Sequence, residues 1–158
     1  DVNLSAEGHT IIICGSTQSR PLWQEPYIQR IGAVEITMPH EVFHGACTSE
    51  AWIETLCQAY RRHGAIIVAI GHEATGGKAY AVRLRRLMAQ AAQELVAVAS
   101  PTTMIVEGGA TAYAVLQQLG WQQFVAEHEF APGVVSIRHG ATSVVLKPGS
   151  YPWGTLFG

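Results

Sequence analysis

Charge is scarce in this sequence: 14% of its 158 residues are Asp, Glu, Lys or Arg, and the net charge is −2. A protein that grips nucleic acid by bulk electrostatics needs a surplus of cations, so that mode of action is disfavoured. Long apolar runs are missing as well. The apolar-rich window from Leu95 to Val106 is interrupted by Ser100-Pro101, well short of the ~18 residues that a spanning helix needs. No membrane partner is expected. Cysteines number three, Cys14, Cys47 and Cys57, without close spacing. That is a poor disulfide framework and points to a reducing, cytoplasmic setting. The first ten residues, DVNLSAEGHT, hold neither a basic nor an apolar segment, so they do not read as a signal peptide. Internal repeats and low-complexity tracts are absent.

What is present is apolar mass in a regular order. Hydrophobic residues make up 48% of the chain, enough for one domain with its own core. Residues 1–158 are therefore read as a single domain, with 1–9 as a linker. Short β-branched runs predict strands at Thr10–Cys14, Ala33–Met38, Ala65–Ile70 and Thr102–Glu107. Such runs suit parallel strands buried on both faces. Helices are predicted between them at Pro21–Ile31, Ser49–His63, Lys78–Ala99 and Thr111–Leu119. The third of these has the clearest stripe: Leu84, Leu87, Met88, Ala91, Leu95 and Val98 recur at helical spacing. After Gly120 the pattern changes to three strand-like runs, WQQFVAEHEF, VVSIRH and SVVLKPG, with no helix between them. The expected fold is α/β: a three-layer, Rossmann-like domain with a largely parallel sheet and a β-rich C-terminal extension.

In such a fold ligands bind outside the carboxyl ends of the strands. Three of the predicted strand ends carry loops suited to phosphate. CGSTQSRP follows the first strand, with a permissive Gly15, hydroxyls on Ser16, Thr17 and Ser19, and Pro21 suited to the next helix's first turn. EGGAT follows the fourth, where Gly108 and Gly109 would let a ligand approach the backbone and Thr111 would cap a helix. The unpaired N–H groups of that helix and its positive dipole end would face an anion. LKPGSYPWG follows the last strand, where Lys147 would supply charge and Gly149 a close approach to a base or ribose.

Two tempting motifs are weaker. GHEATGGKAY resembles a phosphate loop, and Gly71 and Gly76 are correctly spaced. Gly77 then separates Gly76 from Lys78, and Ala79 stands where a magnesium-binding hydroxyl belongs. A loop lining the same crevice, with Lys78 near the ligand, fits better. His40-Glu41-Val42-Phe43-His44 spells the zinc-peptidase pattern, with His63 or Glu54 available as a third ligand. That chemistry needs a helix of several turns, and Pro39 and Gly45 leave room for one. The arginines Arg61, Arg62, Arg83, Arg85 and Arg86 read as solvated helix faces. Trp23, Trp52 and Trp121 read as packing residues, while Trp153 sits beside the last candidate loop. Cys14 reads as a buried, inert thiol.

The stretches CGSTQS, VEGGATAYAVLQQLG, EFAPGV and VVLKPGSY occur in that order. Together they resemble the C-terminal nucleotide-binding domain of the four-carbon acid sugar kinases, which include the 3-oxo-tetronate kinases. The resemblance covers nearly the whole chain and is most specific from Ile105 to Gly149. It implies an ATP-binding domain of a two-domain kinase of carbohydrate metabolism, with Mg2+ as companion ion. The sugar-acid substrate would be held by an N-terminal domain that has no counterpart here, so this chain alone is expected to be inactive. By resemblance, the nucleotide residues fall on Ser16 (Ser19 in the other register), on Gly108, Gly109, Ala110 and Thr111, and on Gly149. No protein metal ligand, catalytic base or oligomeric state is implied. Glu73 and Glu107 are open to either a structural role or help with magnesium. Two departures stand out: Ala110 replaces an acidic residue of the family pattern, and Tyr151-Pro152-Trp153 replaces its usual ending. Ala110 keeps open a non-catalytic nucleotide-sensing or interaction module. A zinc hydrolase on His40 and His44 is the more distant alternative.

Overall fold

The fold is taken from a computed structural model, which describes residues 4, 7–15, 22, 24–71, 77–149, 151, 156 and 157. Seven strands form one sheet in the order β2-β3-β1-β4-β7-β6-β5. They are β1 (Thr10–Cys14), β2 (Val34–Thr37), β3 (Ala65–Ala69), β4 (Thr103–Glu107), β5 (Val125–Ala131), β6 (Val134–His139) and β7 (Thr142–Lys147). Strands β2, β3, β1, β4 and β7 run parallel, and β7, β6 and β5 continue as an antiparallel meander. The helices are α1 (Pro26–Ile31), α2 (His40–Phe43), α3 (Glu50–His63), α4 (Lys78–Val98) and α5 (Gly109–Leu119).

Alternation along each central strand builds two cores. Ile11, Ile13, Ile66, Val68, Met104 and Val106 point to one face and pack against α3, α4 and α5. Ile12, Cys14, Ile67, Ile105 and Val145 point to the other, against Tyr27 and Ile28 of α1 and against Phe157, which stacks on Tyr27. Strands β1 and β4 are buried at every position. Each such Ile or Val contributes ~1.5–3 kcal/mol, which explains why the sequence there is a continuous apolar run. The layers are therefore helices, sheet, and a thinner helix-and-tail layer. Among the described residues, no helix is long and apolar enough to cross a membrane.

The predicted boundaries needed correction at the loops. The first helix starts at Pro26, not Pro21: just before it the Glu25 N–H donates to the Leu22 carbonyl at 2.9 Å, and Leu22, Gln24 and Glu25 are not helical. Pro26 holds the first-turn position expected of Pro21, and Pro21 lies outside the described residues, as do Trp23 and Trp153. The last helix starts at Gly109, two residues before the expected Thr111. Arg83 is not a solvated face. It donates to the Val42 carbonyl at 3.0 Å and to that of Phe43, and lies over the Tyr80 ring. An arginine fork can reach two adjacent carbonyls at the end of this one-turn helix. Trp52 is buried in the core, and Trp121 stacks on His139. Within the expected 1–9 linker, Leu4 packs on the second core and the Glu7 carbonyl accepts from Thr102 Oγ1.

Candidate functional site

Chain order fixes where a crevice must lie. From β1 the chain moves outward to β2, returns through β3, and then crosses to the far side of β1 as β4. The connection reverses direction between β1 and β4, and an open α/β sheet binds its ligands outside the carboxyl ends of the strands at that point. The register sets Cys14 beside Glu107 and Glu107 beside Lys147. The turns after β1, β4 and β7 thus emerge side by side.

Glycines build this edge for two different reasons. Gly15 donates its N–H to the Glu107 carbonyl at 3.0 Å. A Cβ on Gly15 would collide with Thr111 Oγ1, lie 2.6 Å from Thr111 Cβ and lie 2.8 Å from the Glu107 carbonyl oxygen. Its bare Cα is what lets β1 and α5 meet. Gly108 is the N-cap of α5 with φ of 103°, a conformation that L side chains rarely adopt. Its N–H donates to the Lys147 carbonyl at 2.8 Å. Gly109 begins the helix, and among the described residues a Cβ there would meet nothing within 4 Å.

The consequence is a row of free donors. The first N–H groups of a helix have no intrahelical acceptor. Among the described residues no side chain caps α5, and Ala112 is the first of its residues to bond back, to Gly108. Among the described residues, no acceptor meets the N–H of Gly109, Ala110 or Thr111. Gly109 and Ala110 are exposed, while Thr111 is buried against Gly15. Thr111 is therefore not the cap expected from the sequence: it is the third helical residue, and its side chain packs where a cap would have had to reach outward. Such a row of N–H groups at the positive end of a helix dipole suits an oxyanion.

The remaining expected residues divide. Gly149 is exposed in the turn after β7, beside the α5 start. Ser16 and Ser19 lie outside the described residues, as do Glu73 and Gly76. Lys147, expected to offer charge to a ligand, instead points inward: its side chain is 3% exposed and its Nζ donates to Glu107 Oε2 at 3.0 Å. Burial without a partner would be prohibitive for either charge, and each supplies the other's. Glu107 is thereby committed to an ion pair. Lys78 is exposed at the start of α4. Gln118 of α5 donates to Gln93 of α4 at 2.7 Å, which fixes the offset of these parallel helices. Counting back at about 1.5 Å per residue, α4 starts about 9 Å beyond Gly109. Arg83 and Tyr80 anchor the start of α4 to α2, with Tyr80 Oη donating to the Phe43 carbonyl at 2.6 Å. Nothing in the one-dimensional pattern marked those two residues, because their acceptors are about 40 positions away.

The zinc constellation does not assemble. α2 is a single turn of four residues, with the His40 and His44 rings 4.2 Å apart. His63 ends α3 at the opposite edge of the sheet, next to the start of β3. Among the described residues, no group of three or more His, Cys, Asp or Glu could hold a metal ion.

Known proteins were compared with this chain at three levels. A family model described as a nucleotide-binding C-terminal domain matches residues 12–151. A search of curated proteins finds no match. Among solved structures, a domain of unknown function (DUF1537) from Bordetella bronchiseptica, with bound citrate and as a domain-swapped dimer, is 22% identical with a TM-score of 0.70; the match covers 92% of this chain and 38% of that one. A Haemophilus influenzae protein of the same DUF1537 model is also 22% identical at a TM-score of 0.70, covering 96% of this chain and 39% of that one. A Salmonella typhimurium LT2 protein, described as a proposed tRNA synthase, is 25% identical at 0.66, covering 92% and 38%. The chain thus spans under two-fifths of the length of these solved chains. The parallel sheet, the open helix start at its switch point and the family match over residues 12–151 lead to one identification: the chain belongs to the family of nucleotide-binding C-terminal domains, consistent with the four-carbon acid sugar kinase resemblance carried by its motifs.

Proposed function

We propose that this domain holds ATP for a kinase that phosphorylates a four-carbon sugar acid of the 3-oxo-tetronate kind, and that the sugar acid is bound by a separate N-terminal domain. The observation that carries the reading is the start of α5. Among the described residues, three N–H groups, of Gly109, Ala110 and Thr111, stand without acceptors at the carboxyl edge, and no described atom lies within 4 Å of where a Gly109 Cβ would sit. These groups would hold phosphate oxygens, with Ser16 and Gly149 completing the pocket. Bound there, ATP supplies the phosphoryl group for transfer to a hydroxyl of the sugar acid. The chain's own part is to fix the phosphates.

Mg2+ would enter with the phosphates. It commonly keeps several waters and takes few protein ligands. Glu107, the carboxylate beside the donor row, is already paired with Lys147, so no described side chain fits as its ligand and no step is derived through it. The opposite reading, a nucleotide sensor without catalysis, draws on Ala110, which offers only its N–H where the resembled family has an acid. A tRNA-directed activity is disfavoured by the net charge of −2.

Calorimetric titration of the chain with Mg-ATP, Mg-ADP and a non-adenine nucleotide tests the proposal. Saturable binding of the adenine nucleotides, lost in a folded Gly109→Val variant, is the expected result. Absence of binding at millimolar nucleotide, or unchanged affinity in Gly109→Val, would overturn it. Supplying the sugar-acid domain then separates kinase from sensor by whether phosphate is transferred.

A further inference from the structure

The Glu107–Lys147 pair raises a physical question. Both side chains are nearly excluded from solvent, at 2% and 3% exposed. A buried ion pair is rarely worth more to stability than a well-packed apolar pair of the same volume. Stability alone does not call for it at the end of two adjacent strands.

The other bonds of Lys147 offer an answer. An ammonium has three hydrogens to donate. Besides Glu107 Oε2 at 3.0 Å, Nζ reaches the Pro148 carbonyl at 3.0 Å and the Gly149 carbonyl at 3.2 Å. Among the described residues no peptide bond is cis, and in a trans peptide the C=O and the next N–H point opposite ways. Drawing the Pro148 carbonyl inward therefore turns the Gly149 N–H outward. Among the described residues that N–H has no acceptor. Meanwhile the backbone carbonyl of Lys147 accepts from Gly108, the cap of α5. One residue thus ties the turn after β7 to the donor row after β4.

We propose that Lys147 is a positioning residue of the nucleotide site: anchored by Glu107, it sets the path of the Pro148–Gly149 turn and presents the Gly149 N–H, without itself touching the ligand. The inference rests on the nucleotide reading above. An apolar replacement of the pair can fill the same space but cannot hold the two carbonyls, and this separates positioning from stability.

The test is the double variant Glu107→Leu/Lys147→Met, with Lys147→Met alongside. The single variant strands a buried carboxylate and is expected to fold poorly; the double variant removes both charges and is expected to melt near the wild-type temperature. Calorimetry with ATP and with adenosine on the folded double variant should show affinity reduced by about tenfold or more, to a similar factor for both ligands, since the turn is placed beside base or ribose. Wild-type affinity in the double variant would overturn the inference. So would a loss confined to ATP, which would mean direct contact between Lys147 and phosphate. A wild-type chain that binds neither ligand would overturn the nucleotide reading itself, and this inference with it.

Discussion

The two edges of the parallel sheet are built from similar residues and treat their polar groups in opposite ways. At the amino edge the donors find partners within the fold. Tyr60 Oη donates to the Ala99 carbonyl at 2.8 Å, Thr142 Oγ1 to that of Pro101 at 2.6 Å, and Thr102 Oγ1 to that of Glu7 at 2.9 Å. These bonds tie helix ends and strand starts to each other. At the carboxyl edge the start of α5 leaves three N–H groups without acceptors among the described residues, next to a glycine with open space around it. An unmet donor on a stable domain costs free energy unless water or a ligand meets it. The difference teaches that the amino edge closes its polar groups inside the fold, while the carboxyl edge leaves donors for water or, on the nucleotide reading proposed above, for a ligand. Substitutions at the amino edge should move melting and leave nucleotide affinity alone, whereas those at the exposed positions of the donor row should do the reverse.

The strongest challenge to that division is Lys147, a buried structural charge at the binding edge. Lys147→Met takes away the ammonium that faces the buried Glu107 carboxylate, and should destabilise the domain by about 3–5 kcal/mol in urea unfolding. A loss below ~1 kcal/mol would show that the other contacts of Glu107 suffice to hold its charge. Gly15 comes next. In Gly15→Ala the new Cβ is forced against Thr111 and against the backbone of Glu107, and overpacking of that kind costs about 1–3 kcal/mol. Adding Thr111→Ala removes the colliding Oγ1 and should recover part of that loss, with the Glu107 carbonyl still in the way. Full stability in Gly15→Ala alone would mean that the β1 turn can shift, and that the edge is softer than its contacts imply.

These two residues also mark the limits of what the sequence could say. The central strands, the α4 stripe and the glycines after β4 were legible, because periodicity and turn chemistry are local. Lys147 was visible as a charge in a glycine-rich loop. Its inward turn depends on Glu107, 40 positions earlier, arriving beside it in register. Gly15 was legible as a permissive residue, but its reason, the approach of Thr111, needs the packing of β1 against α5. The same packing removed Thr111 from its expected role as a cap. Arg83 looked solvated because its acceptors, the last carbonyls of α2, belong to a one-turn helix that the sequence only hinted at. Long-range register and short helices decide these cases, and neither leaves a period in the sequence. Ser16 remains an expectation, since it lies outside the described residues.

A smaller effect is expected at the amino edge. Burial pushes the Tyr60 hydroxyl above the usual phenol range. The folded state then holds that proton more tightly than the unfolded chain does. Its contribution to stability is complete below the unfolded value of about 10, and is lost as pH rises from there toward the raised folded value. Tyr60→Phe removes the bond to Ala99 and should cost about 1–2 kcal/mol near neutral pH. It should also flatten the loss of stability above pH ~10, measured by urea unfolding across that range. Nucleotide affinity should stay at the wild-type value. A change in affinity would break the division between the edges, because no contact links Tyr60 to the donor row.

The smallest effect on stability is expected where the effect on binding is large. Gly109→Ala adds one methyl group at the first position of α5, where no described atom outside the helix's own backbone lies within 4 Å. Replacing glycine in a helical conformation narrows the unfolded ensemble, so melting should be unchanged or raised by the equivalent of about 0.4–1 kcal/mol. The methyl group occupies the space through which a phosphate would reach the N–H groups, so ATP affinity should fall while the domain becomes no less stable. The two readings, a melt and a titration on the same sample, should therefore move in opposite directions. If both fall together, Gly109 is held in place by packing in the manner of Gly15. If neither moves, the open space beside α5 is ordinary surface, and the donors there face only water.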